Sequence, residues 1–181
     1  MTFTLPRRSL LTAALAATCM ASGALAADKW PSKPLHLIVG FPAGSSPDLT
    51  ARALAEPLEK ALGQTIIVEN KVGAGGNIAG EYVAKADDHT FSVMINGNMT
   101  IAQLLNPAVR YDPLKDLAPV SLVGVAPLVL TAPVHLPDAP DGTDARAFLA
   151  AAKKAGDKWS DGTPGVGTVG HIGTELMKAR T

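Results

Sequence analysis

Three short strand-like runs, each followed by a glycine-bearing turn and the first two by a helix-like stretch, constrain this chain more than any other feature of it. The first, Leu35-His36-Leu37-Ile38-Val39, is apolar almost throughout and bounded by Pro34 and Gly40, the pattern of a strand covered on both faces. A helix is expected next: Ser46 is placed to cap it, Pro47 suits its first position, and Leu54, Leu58 and Leu62 recur at four-residue spacing before Gly63. Pro57 lies within that helix and is expected to kink it. Residues 65–69 read as a second strand, residues 70–76 as a glycine-rich loop, residues 78–85 as a second helix and residues 90–95 as a third strand. Strands separated by single helices imply right-handed crossovers and a parallel sheet with helices on both faces, its loops gathered along one edge.

From residue 106 the texture changes. Proline recurs between apolar runs at residues 120–125 and 128–131, which reads as a crossing between two lobes. Residues 145–154 are a plausible helix, residues 158–160 a short strand, residues 162–170 a second glycine-rich loop, and residues 171–178 the start of a further helix. The organisation expected is a signal peptide over residues 1–26, a first α/β lobe over 27–125, and the beginning of a second α/β lobe over 126–181. That second lobe would own two helices and an unfinished sheet with unpaired backbone at its edge, so the chain reads as a truncated copy.

The leader has Arg7 and Arg8, an apolar run over residues 10–20, and Ala24-Leu25-Ala26 as a small-x-small cleavage site. Its apolar run is about half of the ~20 residues needed to span a bilayer, so cleavage and release to the periplasm are expected. The arginine pair suits a twin-arginine signal as well as the general export route. Cys19, the one cysteine, lies inside the leader and lacks the flanking pattern of a lipoprotein signal, so the mature chain offers no thiol for a disulfide, a metal or a nucleophile. Cleavage leaves 14 basic and 16 acidic residues, a net charge of −2, which gives no electrostatic reason to bind nucleic acid.

The loop over residues 40–48 joins the carboxyl end of a strand to a helix start, where open α/β sheets bind ligands and where amide N–H groups and the helix dipole favour an anion. Ser46 and Asp48 fit a helix-capping role equally well. Residues 73–77 and 96–100 repeat the arrangement after the second and third strands. Gly165-Val166-Gly167-Thr168-Val169-Gly170 matches the dinucleotide pattern G-x-G-x-x-G, but no long apolar strand precedes it and no acidic residue ~20 positions on could hold a ribose. His36, His89, His135 and His171 have no metal-ligand spacing, and no G-x-S-x-G elbow surrounds Ser45 or Ser46. Neither a metal nor a cofactor is expected.

The ordered set Pro31-Ser32-Lys33-Pro34-Leu35, residues 41–48, Val68-Glu69-Asn70-Lys71, residues 73–78 and residues 111–120 resembles the Bug family, extracytoplasmic receptors of tripartite tricarboxylate transporters. The resemblance runs from about Trp30 to Met177. It implies a type II periplasmic-binding-protein fold: two α/β lobes with a hinge, enclosing a small carboxylate without a cofactor, in a monomer that serves membrane transporter subunits. Carried onto this sequence, the first-lobe contacts are Phe41, Ala43, Gly44, Ser45, Ser46 and Asp48, with Asn77, Asn96 and Gly97 nearby, and the second-lobe contacts are Gly167, Thr168, Val169 and His171. Three departures stand out. The family's run of glycines is Gly44-Ser45-Ser46 here, Val169 and Gly170 supply fewer hydroxyls than usual, and Asp87-Asp88-His89-Thr90 replaces the usual turn before the third strand. An α/β enzyme acting on a small organic acid and a degenerate, non-binding fragment are the competing expectations.

Overall fold

The computed structural model describes residues 29–133, 135 and 144–181; the leader and its cleavage site lie outside that range. The compact unit that carries the sheet begins at Lys33.

Its centre is a three-stranded parallel sheet in the order β2-β1-β3, with β1 at Leu35–Val39, β2 at Ile66–Asn70 and β3 at Thr90–Val93. Leu37 stands beside Val68 on one side and Phe91 on the other. Because side chains alternate along a strand, Leu35, Leu37 and Val39 share one face, and these form the core with Phe41, Ala51 and Ile66. Helix α1, Ser46–Leu62, closes that face by packing Ala55, Leu58 and Leu62 against it. Each buried leucine or valine contributes roughly 1.5–3 kcal/mol relative to exposure.

Local signals account for α1. It carries Pro47 in its first turn, where the missing N–H is not needed, and ends on Gly63 in the left-handed region (φ 67°), whose N–H reaches the Glu59 carbonyl. The expected cap shifts by one residue: Ser45, not Ser46, holds the N-cap position. Helix α2, Asn77–Val83, begins after a single 3₁₀ turn at Ala74–Gly76. The chain leaves β1 in one direction for β2 and then crosses back beyond β1 to β3, so right-handed connections put α1 and α2 on opposite faces. Where the direction reverses, between β1 and β3, the carboxyl ends of the strands open a crevice.

Other boundaries differ from the sequence reading. β2 is displaced by one residue, because Thr65 only offers its carbonyl to Leu35 N–H (2.9 Å) before the ladder begins. β3 stops at Val93. Residues 96–100, expected as a turn, are a short helix α3 (Asn96–Thr100), followed by α4 (Ala102–Leu105). The replaced turn before β3 closes on its own acid: Asp87 Oδ1 accepts from His89 N–H (3.1 Å) and from the Thr90 hydroxyl (3.2 Å).

Beyond Tyr111 the described chain has no further strand. The apolar runs at 120–125 and 128–131 have no ladder partner among the described residues and lie in water. Helix α5 (Ala145–Ala155) is capped by Asp144, whose side chain accepts from Arg146 N–H, and Phe148 packs its ring 5.8 Å from that of Trp159. The strand expected at 158–160 is absent; a 3₁₀ turn, Gly156–Lys158, stands there instead. Helix α6, Val169–Arg180, starts two residues before the expected point, so Val169 and Gly170 belong to its first turn.

Candidate functional site

The first loop is built around a buried carboxylate. Asp48 is 1% exposed and accepts three hydrogen bonds, from Gly44 N–H (2.8 Å), Arg52 Nε (3.0 Å) and Asn70 Nδ2 (2.9 Å). The Arg52 guanidinium, then the Gly44 and Asn70 donors, hold its pKa down at about 2. Asn70 also donates to the Phe41 carbonyl (2.9 Å). Both ends of the loop are thereby tied to one acid, with Gly44 in a left-handed conformation (φ 82°) that glycine alone adopts freely.

The consequence appears at the start of α1. An N-cap side chain normally accepts from the first-turn amides, but the Ser45 hydroxyl donates to the Pro42 carbonyl instead (2.6 Å), and no side-chain cap bond forms. Asp48 is turned inward to Gly44 and Arg52. Helix geometry leaves the amides of Ser46 and Asp48 without intrahelical acceptors, and the positive end of a 17-residue helix lies behind them. Ala43, Gly44 and Ser46 are exposed around this point and Ser45 is half-buried.

The other loops converge beside it. Gly76 meets the Phe41 ring, where a methyl group on the glycine would lie 3.0 Å from the ring edge. Asn98 Nδ2 donates to the Gly75 carbonyl (2.9 Å) and to Asn77 Oδ1 (2.8 Å), while Asn77 Nδ2 donates to Ala74 O (2.8 Å). The Tyr111 hydroxyl shares its proton between Asn98 O (2.8 Å) and Asn77 Oδ1 (3.0 Å), and burial pushes its pKa up to about 12. This buried trio fixes the second and third loops relative to each other. From the far end of the chain, the loop before α6 reaches the same place: Thr168, 1% exposed, donates to Gly165 O (2.7 Å) and accepts weakly from His171 N–H (3.4 Å). His171 Nδ1 faces Gly167 N–H at 3.4 Å, which requires that nitrogen to be an acceptor.

Every position singled out from sequence lies on one of these four segments, but in three settings. Phe41, Asp48, Asn77, Gly97, Gly167 and Thr168 are buried, and the polar side chains among them are bonded within the protein. Ala43, Gly44, Ser46 and Asn96 are exposed, and Ser45, Val169 and His171 lie between. Asn70, Asn98 and Tyr111 appear in the sequence only as members of longer motifs and not as site residues; their importance comes from partners brought close by the fold. Among the described residues one group could hold a metal ion, Asp87, Asp88 and His89. Its acids are already engaged: Asp87 pairs with Lys33 at 2.5 Å and Asp88 with His89 Nδ1 at 2.7 Å.

A parallel α/β unit whose loops gather an uncapped helix start and several backbone amides at one sheet edge has the architecture of a periplasmic-binding-protein lobe. Residues 50–181 match the family described as tripartite tricarboxylate transporter family receptor, and the chain belongs to that family. It is 35% identical to Protein BugT of Bordetella pertussis over 91% of this chain and 50% of that one. Among solved structures it superposes on MatC from Rhodopseudomonas palustris with bound malate at a TM-score of 0.75 and 32% identity, covering 83% of this chain and 50% of that one. A second, R. palustris Rpa4515 with adipate, gives 0.65 and 29%, over 82% and 49%. The fold is thus that of the Bug-type periplasmic binding proteins, and the chain spans about half the length of the relatives it matches.

Proposed function

We propose that this chain captures a small carboxylate at the uncapped start of α1 and serves a tripartite tricarboxylate-type membrane transporter from the periplasm, to which residues 1–26 direct it. The observation that carries this reading is the Ser45 hydroxyl turned to Pro42 O, which leaves the first-turn amides for an external anion. Arg52, which reaches the loop, already pairs with Asp48, so the ligand's charge is met by amide dipoles and hydroxyls rather than by that guanidinium. The ligands of the two R. palustris relatives, malate and adipate, are both dicarboxylates, and a second carboxyl group would reach toward the loop before α6.

Calorimetric titration with malate, adipate and a tricarboxylate tests this. Saturable binding of at least one is expected; no heat at millimolar concentration from any of them removes the proposal. Ser45→Asp sharpens it. An acid at the N-cap satisfies the same amides from within and repels an anion, so binding should fall by roughly 100-fold or more while the melting temperature holds or rises. Unchanged affinity in Ser45→Asp would place the ligand elsewhere.

A further inference from the structure

Gly97 poses a separate question, because its backbone does not need to be glycine. It lies inside α3 with no left-handed φ, where alanine would be favoured by about 1 kcal/mol. What it lacks room for is a side chain. A methyl group there would lie 2.5 Å from the Gly167 carbonyl oxygen and 3.2 Å from Thr168 Cα, closer than Cβ atoms come. Two neighbouring approaches are nearly as tight: a methyl on Gly75 would lie 3.0 Å from Val166 O, and one on Gly165 would lie 3.1 Å from Gly75 Cα. The atoms in the way are all backbone, so no rotamer change relieves them. Gly40 and Gly80 are also crowded, by Gly76 and Tyr111, about half as far along the chain. Gly97 meets a loop some seventy residues away.

We infer that Gly97 is a positioning residue: it sets how closely the loop over 165–171 closes on the sheet edge, and hence the width of the crevice offered to the carboxylate. The inference deepens the proposed function and rests on it for the ligand, though not for the closure itself. Asn98, next in sequence, holds the Gly75 carbonyl and the Asn77 amide, so the surface on which the loop lands is fixed. A Cβ at 97 therefore displaces the loop and not the sheet. The competent, closed population falls and the apparent dissociation constant rises in proportion.

The test uses the full chain with Cys19→Ser, spin-labelled at Glu56→Cys on α1 and Glu175→Cys on α6, both exposed. The unsubstituted sequence should give a narrow distance distribution by pulsed electron resonance. Gly97→Ala should lengthen and broaden it and weaken malate binding about tenfold or more. Gly124→Ala, which meets nothing within 4 Å, should change neither. An unchanged distribution and affinity in Gly97→Ala overturns the positioning role while leaving carboxylate binding intact. A lengthened distribution in a chain that binds no carboxylate keeps the positioning role and removes the proposed function instead. Should Gly97→Ala fail to fold, amide exchange on the unsubstituted chain decides: the amides of Gly167 and Thr168 must be protected, and exchange at the rate of free peptide overturns the inference.

Discussion

Leu35-His36-Leu37-Ile38-Val39 and Val120-Ser121-Leu122-Val123-Gly124-Val125 are nearly interchangeable as text, yet they have opposite fates. In the first, Leu35, Leu37, Ile38 and Val39 are all buried, with Ile38 and Val39 at 0% exposure, and a strand pairs on either side. In the second, Val120 and Leu122 are each 80% exposed and Val125 is 87%, with no ladder partner among the described residues. Intrinsic β-propensity is therefore a small term here. What separates the two is whether distant chain arrives to cover them, which for a parallel strand always means a crossover of a dozen residues or more.

The largest break in that contrast should come at the centre of the sheet. Ile38→Ala removes a side chain closed in on all sides and should cost about 2–5 kcal/mol by urea unfolding. A loss below about 1 kcal/mol would mean the central strand is less tightly packed than its burial requires. Next in size is Tyr111→Phe. Deleting the hydroxyl leaves Asn98 O without that donor in a buried setting, which should cost about 1–3 kcal/mol and loosen the second and third loops together.

A smaller effect separates the first loop from the rest by pH. Asp48 titrates at about 2 when folded, against an ordinary aspartate value near 3.9 when unfolded. The unfolded chain therefore binds the extra proton first as pH falls. The stability Asp48 supplies is fully present above about pH 5 and drains away toward pH 2. Asp87, also held at about 2 by Lys33 and the His89 amide, acts in the same direction. Asp48→Asn should flatten the melting-temperature profile across that window and lower it at neutral pH; an unaltered slope would show that the Gly44 and Arg52 bonds do not persist in solution.

The parts legible from sequence were those with local causes. Pro47, the four-residue leucine spacing and Gly63 specify α1 almost to the residue, and the glycine-bearing turns mark where the loops must lie. Residues 96–100 misled because asparagine and glycine favour turns, whereas the close approach of Gly167 and the Asn98 bonds to Gly75 and Asn77 reward a helical turn there. The site's supports were hidden for a related reason. Tyr111 and Asn77 are 34 positions apart, and Asn70 and Asp48 are 22; neither pairing exists until β1, β2 and β3 are side by side. The sequence points to Ser46 as the cap, and only the fold places Ser45 at the N-cap with its hydroxyl turned to Pro42 O.

The smallest expected effect is also the sharpest test of the opening contrast. Leu122→Ser exchanges an apolar for a polar side chain at 80% exposure, so the unfolding free energy should move by no more than about 0.5 kcal/mol. The same exchange should lower binding of a hydrophobic fluorescent dye, because the tract over 118–133 is exposed throughout and a contiguous apolar patch of that kind recruits such dyes. If Leu122→Ser instead destabilises the chain as strongly as Ile38→Ala, the tract is covered in solution. Burial, and not the ladder alone, would then be shared by both runs, and the distinction between them would reduce to which segment supplies the cover.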